Sequence, residues 1–394
     1  MYLIVPYEKS EIYVRMIQYI IFMDLLNTQQ LKEKLAHTGF KRYFKNMTWL
    51  MTSRILCMAI SFITTAFIAR YLGPTNFGQL SYAISFVAIF SFLASLGIDT
   101  IVYRDLVKFP EKKMEYLGTA LGIKLSASAI TSIIVIISAL VFAEDDVSKI
   151  LIIILSFTFI FNSFLVVNND FQASVRSKVP SIISLVVTII LNLLKILVIF
   201  SNKGVIYLSL ILLLETILYA LFYWWAYRKI LGGRLSNWKF NRQIAISLLH
   251  DSWPSIFSAA FALIYARIDQ IFIKHMIDAT AVGIYDSAVR VAETWYFLPS
   301  IAIGSLFPAI INAKKTSDEL YNSRLKNLIL VTLTITTSIA LFTTLCAPFI
   351  IHLLYGPAFM SGVIILQIYI WSAVAISLGT VISSYLVIEN LRKI

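Results

Sequence analysis

Ten long apolar segments, at about 49–70, 77–103, 117–142, 150–171, 180–200, 205–227, 244–276, 281–311, 328–349 and 362–388, succeed one another with short connections between them. Each can cross a hydrocarbon core of about 30 Å at 1.5 Å per residue of helix. Hydrophobic residues are 59% of the 394 and charged residues 14%, and mean hydropathy is +0.82. A soluble chain averages roughly 45–50% and 25%, so these values predict a multi-pass membrane protein. Strands of a membrane barrel would alternate in polarity over about ten residues. The continuous Leu, Ile and Phe runs instead predict an all-α polytopic bundle.

The formal net charge of +12 would in another setting suggest nucleic acid. Here the basic residues fill every second connection: Arg104, Lys108, Lys112 and Lys113; Arg176 and Lys178; Arg228, Lys229, Arg234, Lys239 and Arg242; Lys314, Lys315, Arg324 and Lys326. By the positive-inside rule these connections are cytoplasmic. The others are short and poor in Lys and Arg, with Glu144, Asp145 and Asp146 in one and Lys203 in another, and face outward. The N-terminus and Arg392-Lys393 then both lie inside. The charge sets topology, and no nucleic-acid partner is expected. Residues 1–46 read as a separate extension. Its apolar patch, 12–26, is broken by Arg15 and Asp24, is too short to span, and precedes no small-residue cleavage site. It fits an amphipathic surface helix, or an extension upstream of a start at Met23.

Ionisable groups inside the spans need a reason, because each costs at least about 2.5 to 3.5 kcal/mol at bilayer depth. Arg267 and Asp269 lie in the seventh segment and Asp286, Arg290 and Glu293 in the eighth, the last three at i, i+4 and i+7 on one helix face. Two compatible readings stand: an ion-pair network locking the hairpin, and the wall of a polar cavity handling an anionic ligand or a coupling cation. Glu215 and Lys195 could pair across segments six and five, or Glu215 could titrate. Arg54 and Lys124 could snorkel to the headgroups or meet a phosphate as two cations at one mouth. Arg54, Lys124, Arg267 and Arg290 are thus the candidate substrate-path cations. Glu215, Asp269, Asp286 and Glu293 are the candidate carboxylates for coupling to H+ or Na+.

Cys57 and Cys346 are lone thiols in apolar spans, and His37, His250, His275 and His352 lack ligand spacing, so no metal is expected. No phosphate-binding loop or serine-hydrolase motif is present, so ATP hydrolysis and serine-hydrolase chemistry have no support. Pro254, Pro299 and Pro308 predict kinks in the two longest spans. Gly118-Thr-Ala-Leu-Gly122 predicts a close helix–helix contact.

A weak internal repeat links the turn 71–78, between the first two segments, to 276–283, between the seventh and eighth. Overlaying Gly78 on Gly283 brings Leu93 onto Leu298 without a gap. Repeats of the same sense predict two lobes related by an axis along the membrane normal. They would be 47–230 with six spans and 231–394 with four.

Lys45-Asn-Met-Thr-Trp49, Ala69-Arg-Tyr-Leu-Gly-Pro74, Leu96-Gly-Ile-Asp99 with Arg104, Ala266-Arg-Ile-Asp-Gln270, Ala281-Val-Gly-Ile-Tyr285 with Ala288-Val-Arg290, Trp295-Tyr-Phe-Leu-Pro299 and Leu306-Phe-Pro308 resemble the Wzx-type O-antigen and polysaccharide flippases. These belong to the multidrug/oligosaccharidyl-lipid/polysaccharide exporter superfamily. The resemblance implies two six-helix lobes about a cationic cavity, located in the bacterial inner membrane. It implies a lipid-linked oligosaccharide on undecaprenyl diphosphate as substrate, and membrane lipids, a polysaccharide polymerase and a chain-length regulator as partners. It implies no cofactor. A drug/cation antiporter of the same superfamily is the first alternative, and a membrane enzyme of polysaccharide assembly the second. The short outward connections leave no room for an enzyme to bind two sugar acceptors, and no enzyme is expected. The family's second lobe has at least six spans, so four here suggest that the last two of twelve are missing.

Overall fold

The computed structural model describes residues 38–296, 310, 313, 314 and 317–388, and every regular element among them is helical. Eight helical stretches among them are long and apolar enough to cross a membrane. Met51–Lys108 holds the first two expected segments and the other seven hold one each. The chain is a multi-pass membrane protein. The eighth expected segment lies partly outside the described residues, as do the extension up to His37, Pro299, Pro308 and Arg392-Lys393.

Helix α1 (Thr38–Ser95) is bent at Gly73, whose φ of 69° and ψ of 172° are non-helical. That left-handed φ suits glycine, and Pro74, which needs no N–H partner at a helix start, begins the second half. Leu96 and Gly97, both at positive φ, end α1 and turn the chain into α2 (Asp99–Lys108), followed by α3 (Lys113–Phe142). The fourth segment is not the single helix expected. It breaks into α4 (Asp146–Ser156), α5 (Thr158–Asn162), a 3-10 turn at Ser163–Leu165 and α6 (Val166–Ala173). Thr158 and Ser163 donate their hydroxyls back to the carbonyls of Leu155 and Phe159, a bond that loosens helices. Irregular backbone at this depth is tolerated where it is buried or lines a cavity.

Two long helices follow, α7 (Lys178–Phe200) and α8 (Val205–Ile230), lying side by side. Next come α9 (Arg242–Met276) and α10 (Ala279–Glu293), then α11 (Asp318–Tyr355), α12 (Gly362–Tyr369) and α13 (Ser372–Ile388).

Lys45–Asp286 forms one compact unit, and the described residues from Ser287 onward belong to a second. This divides the chain by contact, whereas the boundary expected at 230/231 divides it by repeat. In the first unit Ile98, Leu117, Phe171, Leu191, Tyr227 and Leu248 are almost wholly buried in one core. In the second, α11 packs on α12 and α13, with Leu328 and Val381 buried. Phe200, Phe261, Tyr265 and Leu345 are 70–82% exposed. Lipid solvates such side chains as well as a protein core would, so they need no cover.

The connection between α8 and α9 is packed down on the first unit. Gly118 receives the Lys239 backbone and Gly122 the Phe240 ring, so the small-residue pattern expected at a helix–helix contact takes a connecting strand of chain instead. The Asn241 side chain caps α9 by accepting from the N–H groups of Gln243 and Ile244. Its own N–H donates to Thr119 Oγ1 at 2.9 Å. Each bond replaces one that a bare helix end would leave unmade.

Within the first unit, α1 meets α10 in the register of the internal repeat. Thr75 and Thr280 are hydrogen-bonded at 2.9 Å, and Ser81 donates to Asp286 at 2.7 Å, both pairs 205 residues apart. Gly78 and Gly283 are also 205 apart (283 − 78). A Cβ on Gly78 would collide with the Ala279 carbonyl, and one on Gly283 with the carbonyl of Pro74, which is the residue equivalent to Ala279. Contacts that exchange partners in this way mark a local two-fold axis, as in isologous interfaces.

Candidate functional site

A cavity of about 550 Å³ lies in the first unit, walled by the end of α1, by α2 and α3, and by the broken fourth segment. Ligand sites of small molecules span roughly 300–1,000 Å³. At its wall Lys124 Nζ sits 2.9 and 2.8 Å from the two carboxylate oxygens of Asp99, and Asn169 Nδ2 donates to Asp99 Oδ1 at 3.0 Å. The Lys124 side chain is 7% exposed and that of Asp99 45%. The ammonium therefore does not snorkel to the headgroups, and it meets the cavity already covered. What the cavity feels is the carboxylate. Asp99 is placed by the Leu96–Gly97 turn, which sets it in the first turn of α2, where the helix dipole favours negative charge.

The remaining wall is polar, with Ser95, Tyr103, Ser128, Asn162, Asn168 and Gln172 among its residues. Ser128 and Ser163 hydrogen-bond to each other at 2.9 Å. Asn168 Oδ1 is buried and has no protein donor, an exception among buried polar atoms, which are otherwise paired. The irregular stretch 157–165 contributes Phe159, Asn162, Ser163 and Leu165 to this wall, which accounts for the break in the fourth segment.

A second polar group lies on the two-fold contact. Asp286, 1% exposed, accepts from Ser81 Oγ at 2.7 Å and Gln270 Nε2 at 2.9 Å, and Ser85 donates to Gln270 Oε1 at 2.7 Å. Asp269 accepts from the Tyr285 hydroxyl and from the Gln270 N–H. Two of the carboxylates picked out by sequence are thus joined through Gln270 into one chain of hydrogen bonds. Arg267 is half-buried on α9, and Arg290 and Glu293 follow Asp286 on α10.

Arg54 is exposed on α1 and is not among the residues that line the cavity. Glu215 and Lys195 lie on the adjacent helices α8 and α7, near enough to interact electrostatically. Sequence reasoning passed over Asn162, Asn169 and Gln172, although their i, i+7, i+10 spacing in an apolar span marks one polar helix face. It gave no role to Gln270 or Ser81. Ser81 was accessible as the repeat partner of Asp286.

On the face assigned outward, Asp145 accepts from Gln79 Nε2 and the Ser148 N–H, both at 2.9 Å, and lies 2.9 Å from Lys274 Nζ. Burial by itself would raise its carboxyl pKa. The Lys274 ammonium and the Ser148 N–H outweigh that and hold it below the ordinary 3.8. The unfolded chain therefore protonates first as pH falls. The stabilisation is complete above about pH 4 and drains away as pH drops through the lower folded value. The difference in unfolding temperature between wild type and Asp145→Asn should accordingly be widest near neutrality and shrink below about pH 4. A difference that stays constant with pH would rule out this role.

The family model described as polysaccharide biosynthesis protein matches residues 43–314. A protein of the Lsg locus of Haemophilus influenzae is 24% identical over 277 residues, which are 68% of this chain and 65% of that relative's length. Among solved structures, an inward-facing multidrug resistance MATE family transporter of the MOP superfamily superposes with a TM-score of 0.55 at 14% identity, covering 86% of this chain and 87% of the other. A eukaryotic MATE transporter superposes with a TM-score of 0.58 at 10% identity, covering 88% and 83%. At such identities the likeness is one of fold.

Proposed function

The chain belongs to the polysaccharide biosynthesis protein family, and from that premise we propose that it is a flippase. It moves an undecaprenyl-diphosphate-linked oligosaccharide, an O-antigen or capsule repeat unit, across the bacterial inner membrane by alternating access. The observation that carries this reading is a polar cavity of about 550 Å³ within a largely apolar helical unit. A polar headgroup crossing a bilayer needs such a space, and a static scaffold does not. The chain acts as a transporter and not as an enzyme of assembly, and it works beside a polymerase and a chain-length regulator. Alternating access requires that the substrate or a coupling ion bind one state better than the other. Glu215, Asp269, Asp286 and Glu293 are the carboxylates that can take up H+ or Na+. Arg54, Arg267 and Arg290 are the cations for the diphosphate, with Arg290 central, since it shares a helix face with Asp286 and Glu293.

The test is translocation of a fluorescent lipid-linked oligosaccharide in proteoliposomes, with and without a proton or sodium gradient. Wild type should flip the lipid. Arg290→Ala should lose at least about tenfold in rate, the worth of one charge-assisted hydrogen bond, while still inserting. An unchanged rate would remove Arg290 from the substrate path. Transport of small cationic dyes with no movement of the lipid would replace the flippase reading by that of a drug/cation antiporter.

A further inference from the structure

We propose that the cavity beside Asp99 is a sugar subsite, which takes an uncharged or amino-substituted sugar of the headgroup and excludes the diphosphate. The proposal rests on the flippase reading and assigns one part of that substrate to one place. Its basis is the donor and acceptor inventory of the wall. A sugar hydroxyl both donates and accepts, and a sugar ammonium donates. Against them the cavity sets two acceptors, the Asp99 carboxylate, 45% exposed, and Asn168 Oδ1, which has no protein donor. It also sets groups that do either, the hydroxyls of Ser91 and Ser95 and the side-chain amides of Asn162 and Gln172. Tyr103 and Phe159 add aromatic surface, apolar area of the kind that the C–H face of a pyranose can cover. Small-ligand sites combine a few placed polar groups with aromatic walls in this way.

A diphosphate has the opposite needs. It only accepts, and it is held by charge-assisted bonds from Arg or Lys groups. Lys124, the cation that borders this cavity, already spends its ammonium on both oxygens of Asp99. An anion here would face that carboxylate and the Asn168 acceptor at close range, an unfavourable like-charge contact in a low-dielectric setting. Lys124 is thus a positioning residue for Asp99 and not a phosphate ligand. The diphosphate is left to the arginines outside the cavity.

The experiment uses the purified full chain in nanodiscs and two probes, titrated calorimetrically. One is the phosphate-free oligosaccharide released by mild acid from the lipid-linked repeat units of the encoding bacterium, and the other is inorganic pyrophosphate. The oligosaccharide should bind wild type, saturating pyrophosphate should leave its affinity unchanged, and Asn162→Ala and Asn168→Ala should each weaken it about tenfold. Neither residue belongs to the ion pair, and Gln172→Ala stands in for either if it fails to fold. The proposal falls if wild type does not bind the oligosaccharide, if the variants bind it as wild type does, or if pyrophosphate competes and loses affinity in the same variants. Translocation measured in parallel separates the two claims. Flipping that persists without oligosaccharide binding at the cavity sinks the subsite and leaves the flippase. Binding at the cavity without flipping by wild type sinks the flippase and leaves the subsite.

Discussion

Valine at Gly78 or at Gly283 is expected to prevent recovery of a monodisperse, folded protein, whereas alanine at Gly379 is expected to leave yield unchanged. The first two glycines sit where α1 and α10 touch backbone to backbone, each against a main-chain carbonyl. Overpacking typically costs 1–3 kcal/mol when side chains can yield. A carbonyl cannot yield without dragging its helix, so the cost at these positions should exceed about 3 kcal/mol. Separation of the helices would also strand buried partners, because Ser81 and Gln270 both donate to Asp286 across or beside the contact. A buried donor left unmade costs roughly 1–3 kcal/mol. Gly379 is the control, being an exposed position on α13 with nothing within 4 Å of an added Cβ, where alanine is the better helix former by about 1 kcal/mol. Detergent-solubilised yield and unfolding temperature read all three. Wild-type stability in Gly78→Val would mean that the close approach is not required.

This contact also shows what the sequence could and could not say. The match of Gly78 to Gly283 was visible as an ungapped overlay, and the structure makes those two glycines neighbours with the offset of 205 preserved at Thr75–Thr280 and Ser81–Asp286. Span existence was legible for a simple reason, since length and apolarity alone decide whether a helix can cross a bilayer. Pairings were less so. Asp286 reads in sequence as one charge on a stripe with Arg290 and Glu293, but it also accepts from Ser81 on α1 and Gln270 on α9, and periodicity along one helix carries no information about a neighbour. The break of the fourth segment at 157–165 was hidden too. Its Phe, Ile and Leu content reads as continuous helix, and the serine, threonine and asparagine side chains that open it act on backbone and cavity in three dimensions. Lys124 was legible as an oddity at depth and was read with Arg54. Its real partner, Asp99, lies 25 residues upstream beyond a helix end.

That ion pair supports the second large effect. Asp99→Ala should destabilise the protein by about 3–5 kcal/mol, because it leaves the ammonium of Lys124 buried and uncompensated. Lys124→Met should cost less, since Asp99 is 45% exposed and keeps its bond from Asn169. The double replacement Asp99→Leu, Lys124→Met should return to within about 1–2 kcal/mol of wild type, as buried pairs exchanged for apolar groups of similar volume often do. The strong non-additivity is the signature of direct coupling, and unfolding of the four proteins in one detergent measures it. If the two single changes simply add in the double variant, Lys124 is not held by Asp99. The asymmetry between the singles carries the functional point. Stability needs the carboxylate chiefly to neutralise the lysine, so a double variant that is as stable as wild type and yet has lost ligand binding would show that Asp99 faces the cavity for the ligand's sake. In this arrangement Lys124 stabilises the negative charge of Asp99, and the cavity uses the oxygens of Asp99 that remain exposed.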